Sequence, residues 1–179
     1  YYYKYWKVSN HMSTLSVDTI QGQTAAGNVK MPAGHVIQTV HMQGHGNGTQ
    51  SSTSSSYVEI SSALRTTITP KYSDSKIMFF CTLGLGIEKN GSHDSTGGYK
   101  LYDVTAGADV PNTVSKIRHY DYGGSGQYTQ HVVSFNVLLD SWGTTAKTFT
   151  PLFACLTGDR VRCGDESDST SITIMEIAQ

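Results

Sequence analysis

Between Ser75 and Ile87 the chain reads SKIMFFCTLGLGI, with apolar residues at every second position. Ile77, Phe79, Cys81, Leu83, Leu85 and Ile87 share one face of an extended strand, and Met78, Phe80, Thr82, Gly84 and Gly86 share the other. A helix would scatter the first set around its circumference. The same period returns in HVVSFNVLLD, where Val133, Phe135, Val137 and Leu139 point inward against Ser134 and Asn136. It returns again in the closing STSITIMEIA, and no 3.6-residue stripe lasts a full helix. A chain patterned this way must bury its apolar faces by stacking sheets.

Further strands are predicted at HVIQTVHMQ (35–43), YVEIS (57–61), LRTTIT (64–69), GYKLYDV (98–104), KTFTPLFACL (147–156) and RVRC (160–163), with SKIRHYDY (115–122) a weaker candidate. Pro70 ends one run, because proline gives no N–H to a ladder. Pro151 predicts an edge strand or a bulge for the run that contains it. GHGNGTQSSTSSS (44–56) reads as a flexible polar loop. Eight to ten strands joined by turns, in a chain with 42 Ser and Thr and 18 Gly, predict an antiparallel β-sandwich of the jelly-roll kind. At about 145 residues such a domain buries around two-thirds of its chain surface.

Residues 35–179 carry this pattern. Residues 12–34 (MSTLSVDTIQGQTAAGNVKMPAG) hold only a thin apolar patch of Leu15, Val17 and Ile20, and read as an N-terminal arm that packs against something else. Residues 1–11 differ in character from the rest of the chain. His11-Met12 is what an NdeI cloning site encodes at a start codon, so 1–11 are expected to be a cloning-derived leader; a native aromatic strand or helix is the alternative.

Composition excludes several classes. Only 15% of residues are charged and the net charge is −1, so nothing here attracts a nucleic-acid backbone. No stretch approaches the roughly 20 apolar residues of a membrane-spanning helix, and no secretory leader is recognisable. Cys81, Cys155 and Cys163 are expected to be buried thiols of a chain folded in a reducing cytoplasm, with a Cys155–Cys163 bridge possible but not required.

The final strand raises a question of its own. Ile172, Ile174, Glu176 and Ala178 point one way, and Thr173, Met175 and Ile177 the other, so both faces are apolar. A sheet face that meets water should be polar. Met78, Phe80, Met175 and Ile177 are therefore expected to form an oligomer interface. A β-bulge near Met175 that returns Ile177 to the core, or a loop lying over the sheet, is the alternative. Glu176 is expected at the solvent end of its strand or paired with Arg65 or Arg160.

Three stretches together carry a resemblance: MSTLSVDTIQ at 12–21, TITPKYSDSKIMFF at 67–80 and STSITIMEIAQ at 169–179. The chain resembles a group of virion structural proteins, tail-fibre-like, of marine and cyanobacterial bacteriophages. Their similarity spans most of 12–179, except about Asp94 to Tyr128. The resemblance implies a homotrimer at a fibre tip or knob, made in the bacterial host cytoplasm and placed on the virion. It implies other virion proteins and a host surface glycan or outer-membrane receptor as partners, and it transfers no active site.

Motifs for chemistry are sparse. P-loop, HExxH and Rossmann signatures are missing from the sequence, and GGSGQ around Ser125 lacks the second glycine of a nucleophile elbow. DESDSTS at 165–171 lacks the EF-hand glycine and distal Glu. No enzyme activity and no cofactor are expected. His35, His41 and His45 are weak metal candidates, with His35 and His41 on one face of their strand. The most suggestive constellation is Arg118, His119, Tyr120, Asp121, Tyr122 and Tyr128 with Trp142. Aromatic rings stack on sugars and the polar groups bond hydroxyls, so these are candidate glycan contacts. Tyrosines that merely cover sandwich edges give the same pattern. Two readings fit: a virion adhesion or structural module, or a free lectin-like protein of the same fold. A capsule-degrading tailspike is disfavoured by the short chain and the missing repeat.

Overall fold

A computed structural model describes residues 31–44, 49–89, 94–120, 127–140, 143–164 and 170–179. The leader and most of the arm lie outside the described residues. Among the described residues twelve strands form two six-stranded sheets: β1 Val36–Gln43, β2 Gln50–Ser52, β3 Val58–Glu59, β4 Thr66–Ile68, β5 Lys76–Lys89, β6 Ser95–Asp103, β7 Ala108–Asp109, β8 Ser115–His119, β9 Gln127–Leu139, β10 Lys147–Thr157, β11 Arg160–Cys163 and β12 Ser171–Ile177. Among the described residues the one 3₁₀ turn, Ser62–Leu64, is capped by the Ser61 hydroxyl, which accepts from the Ala63 amide.

The first sheet is built around β5. Along one side β9 pairs with it for thirteen positions, from Ile77↔Leu139 to Lys89↔Gln127. On the other side β12 and β11 lie end to end, β12 against Lys76–Thr82 and β11 against Leu85–Glu88. β1 flanks β12, and β2 flanks β11. In the second sheet β10 and β6 are central; β3 and β4 lie beyond β10, and β7 and β8 beyond β6. Every pairing is antiparallel, and the two sheets stack as a jelly-roll-like β-sandwich.

The period-two reading places the core. Ile77, Phe79, Cys81, Leu83, Leu85 and Ile87 are all buried, and they meet Leu64, Ile68, Tyr99, Leu101, Phe149 and Phe153 from the second sheet and its connections. Phe79 and Phe149 pack edge to face with centroids 4.7 Å apart, and Tyr99 stacks on Phe135 at 6.1 Å. Cys81, Cys155 and Cys163 are buried and none forms a disulfide. Burial, with Cys163 nearby, pushes the Cys81 thiol far above its usual range, which keeps it protonated and unreactive.

Three expectations are corrected. β10 is an interior strand, not an edge. The Pro151 carbonyl accepts from the Ile60 amide, so its missing N–H faces the same side, at the break between β3 and β4 where no ladder bond is lost. The other alternative, a bulge in this strand, is met, although the bulge lies past the proline, between Cys155 and Thr157. The polar 44–56 stretch contributes β2, because β11 offers it an edge to pair with. Finally, the register shifts between Val36 and Gln38, which breaks the alternation that would put His35 and His41 on one face.

β12 closes the first sheet as an interior strand, between β1 and β5, with no register shift against β5 through Ile177. No bulge returns Ile177 to the core. Glu176 is fully buried on the inward side, and neither Arg65 nor Arg160 reaches it. Arg65 pairs with Glu59 and Arg160 lies 3.8 Å from Glu88. The carboxylate instead accepts from the backbone amides of Lys71 (2.8 Å) and Tyr72 (3.0 Å) and from Gln38 Nε2 (2.6 Å). Burial raises its pKa, but those donors outweigh burial and hold it below the usual carboxylate range. The polar residue in an apolar strand is thus a tie between β12, β1 and the turn that leads into β5.

Candidate functional site

The two outward faces of the sandwich differ in kind. On the second sheet, Tyr57 lies over Gly98, where a Cβ would sit 2.5 Å from its hydroxyl. Lys100 Nζ lies 4.4 Å from the Tyr57 ring centroid and 2.6 Å from Asp109. Thr150 donates to Glu59, which also holds Arg65. Leu152 and Ala154 point outward yet are buried. That face is covered by the chain's own loops and polar side chains.

The outward face of the first sheet carries charge toward the two ends of β5, where Lys76 meets Asp140 and Glu88 meets Arg160 and Arg162, and an apolar patch between them. Its registers align Thr39, Met175, Met78 and Leu138 in one row across β1, β12, β5 and β9. The next row holds His41, Thr173, Phe80 and Asn136; on the other flank Val36, Ile177 and Lys76 line up. Met78, Met175 and Ile177 are half-buried, Phe80 is 39% exposed, Leu138 54% and Val132 69%. All four residues expected at an interface therefore share one face, opposite the core. Leu138 and Val132 extend it. Their signal was in the sequence, since both fall on the outward parity of HVVSFNVLLD. Fully burying a side chain of this size contributes about 1.5–3 kcal/mol, and roughly half of that remains to be gained where the residue is half-covered.

β9 forms one border of this face. Among the described residues it has a single ladder neighbour, β5, so the backbone donors and acceptors along its far edge lie outside any ladder. At its start Tyr128 lies on Gly86, where a Cβ would overlap the ring. Arg162 reaches over the same tyrosine, 5.6 Å from its centroid, and bonds Glu88 through Nε at 2.9 Å.

The candidate glycan contacts do not all share a face. Ile117 is buried and Arg118 exposed, so Arg118 points out from the second sheet. Its Nη1 donates to the Tyr120 hydroxyl at 2.9 Å, and Tyr120 is 58% exposed. His119 Nδ1 meets Thr129 Oγ1 at 3.0 Å, tying β8 to β9. Tyr128 lies on the outward face of the first sheet. Asp121, Tyr122 and Trp142 lie outside the described residues.

His35 Nδ1 is 2.9 Å from the Pro32 carbonyl and His41 Nδ1 is 2.8 Å from Thr173 Oγ1; His45 lies outside the described residues. No group of three metal-ligating side chains occurs among the described residues. No described helix is long and apolar enough to cross a membrane.

No protein-family model and no curated protein matches the chain. Among solved structures it is similar to one described as Eiger TNF from S. frugiperda, at 9% identity and a TM-score of 0.44, covering 79% of this chain and 92% of that one. A likeness at that level bears on neither function nor assembly.

Proposed function

We propose that this protein is a self-assembling β-sandwich module of a phage virion appendage, a homotrimeric fibre tip or knob that contacts the host surface or caps the fibre, and not an enzyme. The observation that carries the assembly is the outward face of the first sheet. It presents Met78, Phe80, Leu138, Met175 and Ile177 together, with its ion pairs, Lys76–Asp140 and Glu88 with Arg160 and Arg162, set toward the two ends of β5. Contiguous apolar surface of this kind marks an interaction site. The phage attribution and the three-fold symmetry rest on the sequence resemblance at 12–21, 67–80 and 169–179.

A lectin-like role is the second reading, supported by the exposed Tyr120 ring held by Arg118. Antibody labelling and mass spectrometry of purified virions test the first reading, which expects the chain on an appendage. Its absence from washed virions, together with specific signals on a glycan array, would favour the second.

A further inference from the structure

Among the described residues β9 pairs only with β5, which makes it an edge strand of thirteen residues, QYTQHVVSFNVLL, about 43 Å long at 3.3 Å per residue. Natural edges are guarded by charge, proline, bulges or brevity. β9 contains no Lys, Arg, Asp, Glu, Pro or Gly, and its ladder with β5 runs without a register shift. Its inward residues Val133, Phe135 and Leu139 are only half-buried, although the inward residues of β5 beside them are fully buried. A strand laid against this edge would complete their cover.

We propose that the edge is occupied by β9 of a second copy, antiparallel across a two-fold axis at Val133, joining two first sheets into one continuous sheet. On its outward face the strand is complementary to itself in that register. Tyr128 falls opposite Leu138 of the second copy, Gln130 opposite its Asn136, and Val132 opposite its Ser134. Ring meets aliphatic chain, amide meets amide, and no charge is opposed. Moving the axis to Ser134 sets Gln130 against Leu138 and Val132 against Asn136. Moving it to Val132 sets Tyr128 against Asn136. The two-fold arrangement is the commonest closed symmetry. The contact goes beyond the face association proposed above, because it uses the lateral edge and each can form without the other.

The test is cross-linking between two full-length variants, Val132→Cys and Ser134→Cys, mixed and oxidised mildly. Both positions are exposed, and the native cysteines are buried. The expected product is a covalent dimer that contains one chain of each variant, with far less dimer from either variant alone. Failure to form the mixed dimer, or equal yields of Val132–Val132 dimer, overturns the proposal. Repeating the experiment with Phe80→Glu in both chains separates the two contacts. The mixed disulfide must persist when the face association is lost, and its disappearance would mean that the edge has no contact of its own.

Discussion

Replacing Glu176 with Gln removes a charge and keeps the shape, so its cost reports the buried tie directly. One carboxylate oxygen takes the amides of Lys71 and Tyr72, and the other takes Gln38 Nε2. Glutamine offers one acceptor oxygen. With that oxygen on the two backbone amides, its NH₂ faces the NH₂ of Gln38. Gln38 cannot turn over without losing its bond to the Thr69 carbonyl at 2.7 Å. Bonds to a charged acceptor contribute about 1.5–3 kcal/mol and neutral ones about 0.5–1.5, so two are weakened by roughly 1 kcal/mol each and one is lost. The expected loss is about 3.5–5 kcal/mol, read by urea denaturation at pH 7 with an unchanged m-value. The pH dependence has a definite sign. The folded carboxyl titrates below its unfolded value, so its contribution is complete above the unfolded pKa and fades as pH falls through the folded one. The gap between the natural chain and Glu176→Gln should narrow on acidification below the ordinary carboxylate range. A variant within about 0.5 kcal/mol of the natural chain at pH 7, or a gap that stays constant into acid, would refute the reasoning.

Gly86→Ala places a methyl where the Tyr128 ring lies, with no room for both. It should cost about 1–3 kcal/mol and free Tyr128, seen as faster side-chain dynamics by NMR. Unchanged stability and an unchanged Tyr128 environment would show that the ring does not rest there. Tyr120→Ala removes an exposed ring that Arg118 holds at its hydroxyl, and should leave stability within about 0.5 kcal/mol. If this tyrosine contacts a host glycan, phage adsorption or glycan-array binding falls severalfold; unchanged binding removes Tyr120 from the glycan site.

Much of the fold was legible because β5, β9 and β12 alternate without interruption. Their parity gave both the inward set and the outward Met78, Phe80, Met175 and Ile177. What escaped was set by partners distant in sequence. Pro151 sits in an interior strand because β3 and β4 leave a gap beside it. Gln50–Ser52 has no strand signal of its own and pairs because β11 presents an edge. Glu176 could not be matched with its backbone partners, since carboxylate-to-amide bonds leave no mark in composition. The aromatic constellation read as one cluster along the chain, but β8 and β9 belong to different sheets, which turns Arg118 and Tyr128 to different faces.

Sedimentation velocity on the full chain at micromolar concentration, compared with Phe80→Glu, tests the outward face most directly. Phe80 is partly exposed and outside the core, so the variant should keep its far-UV spectrum and its cooperative unfolding. The natural chain is expected at a multiple of three times its 19.4 kDa mass, and Phe80→Glu at one-third of whatever mass the natural chain shows. A natural chain that sediments at 19.4 kDa, or a Phe80→Glu variant whose mass is unchanged, would contradict self-association through this face.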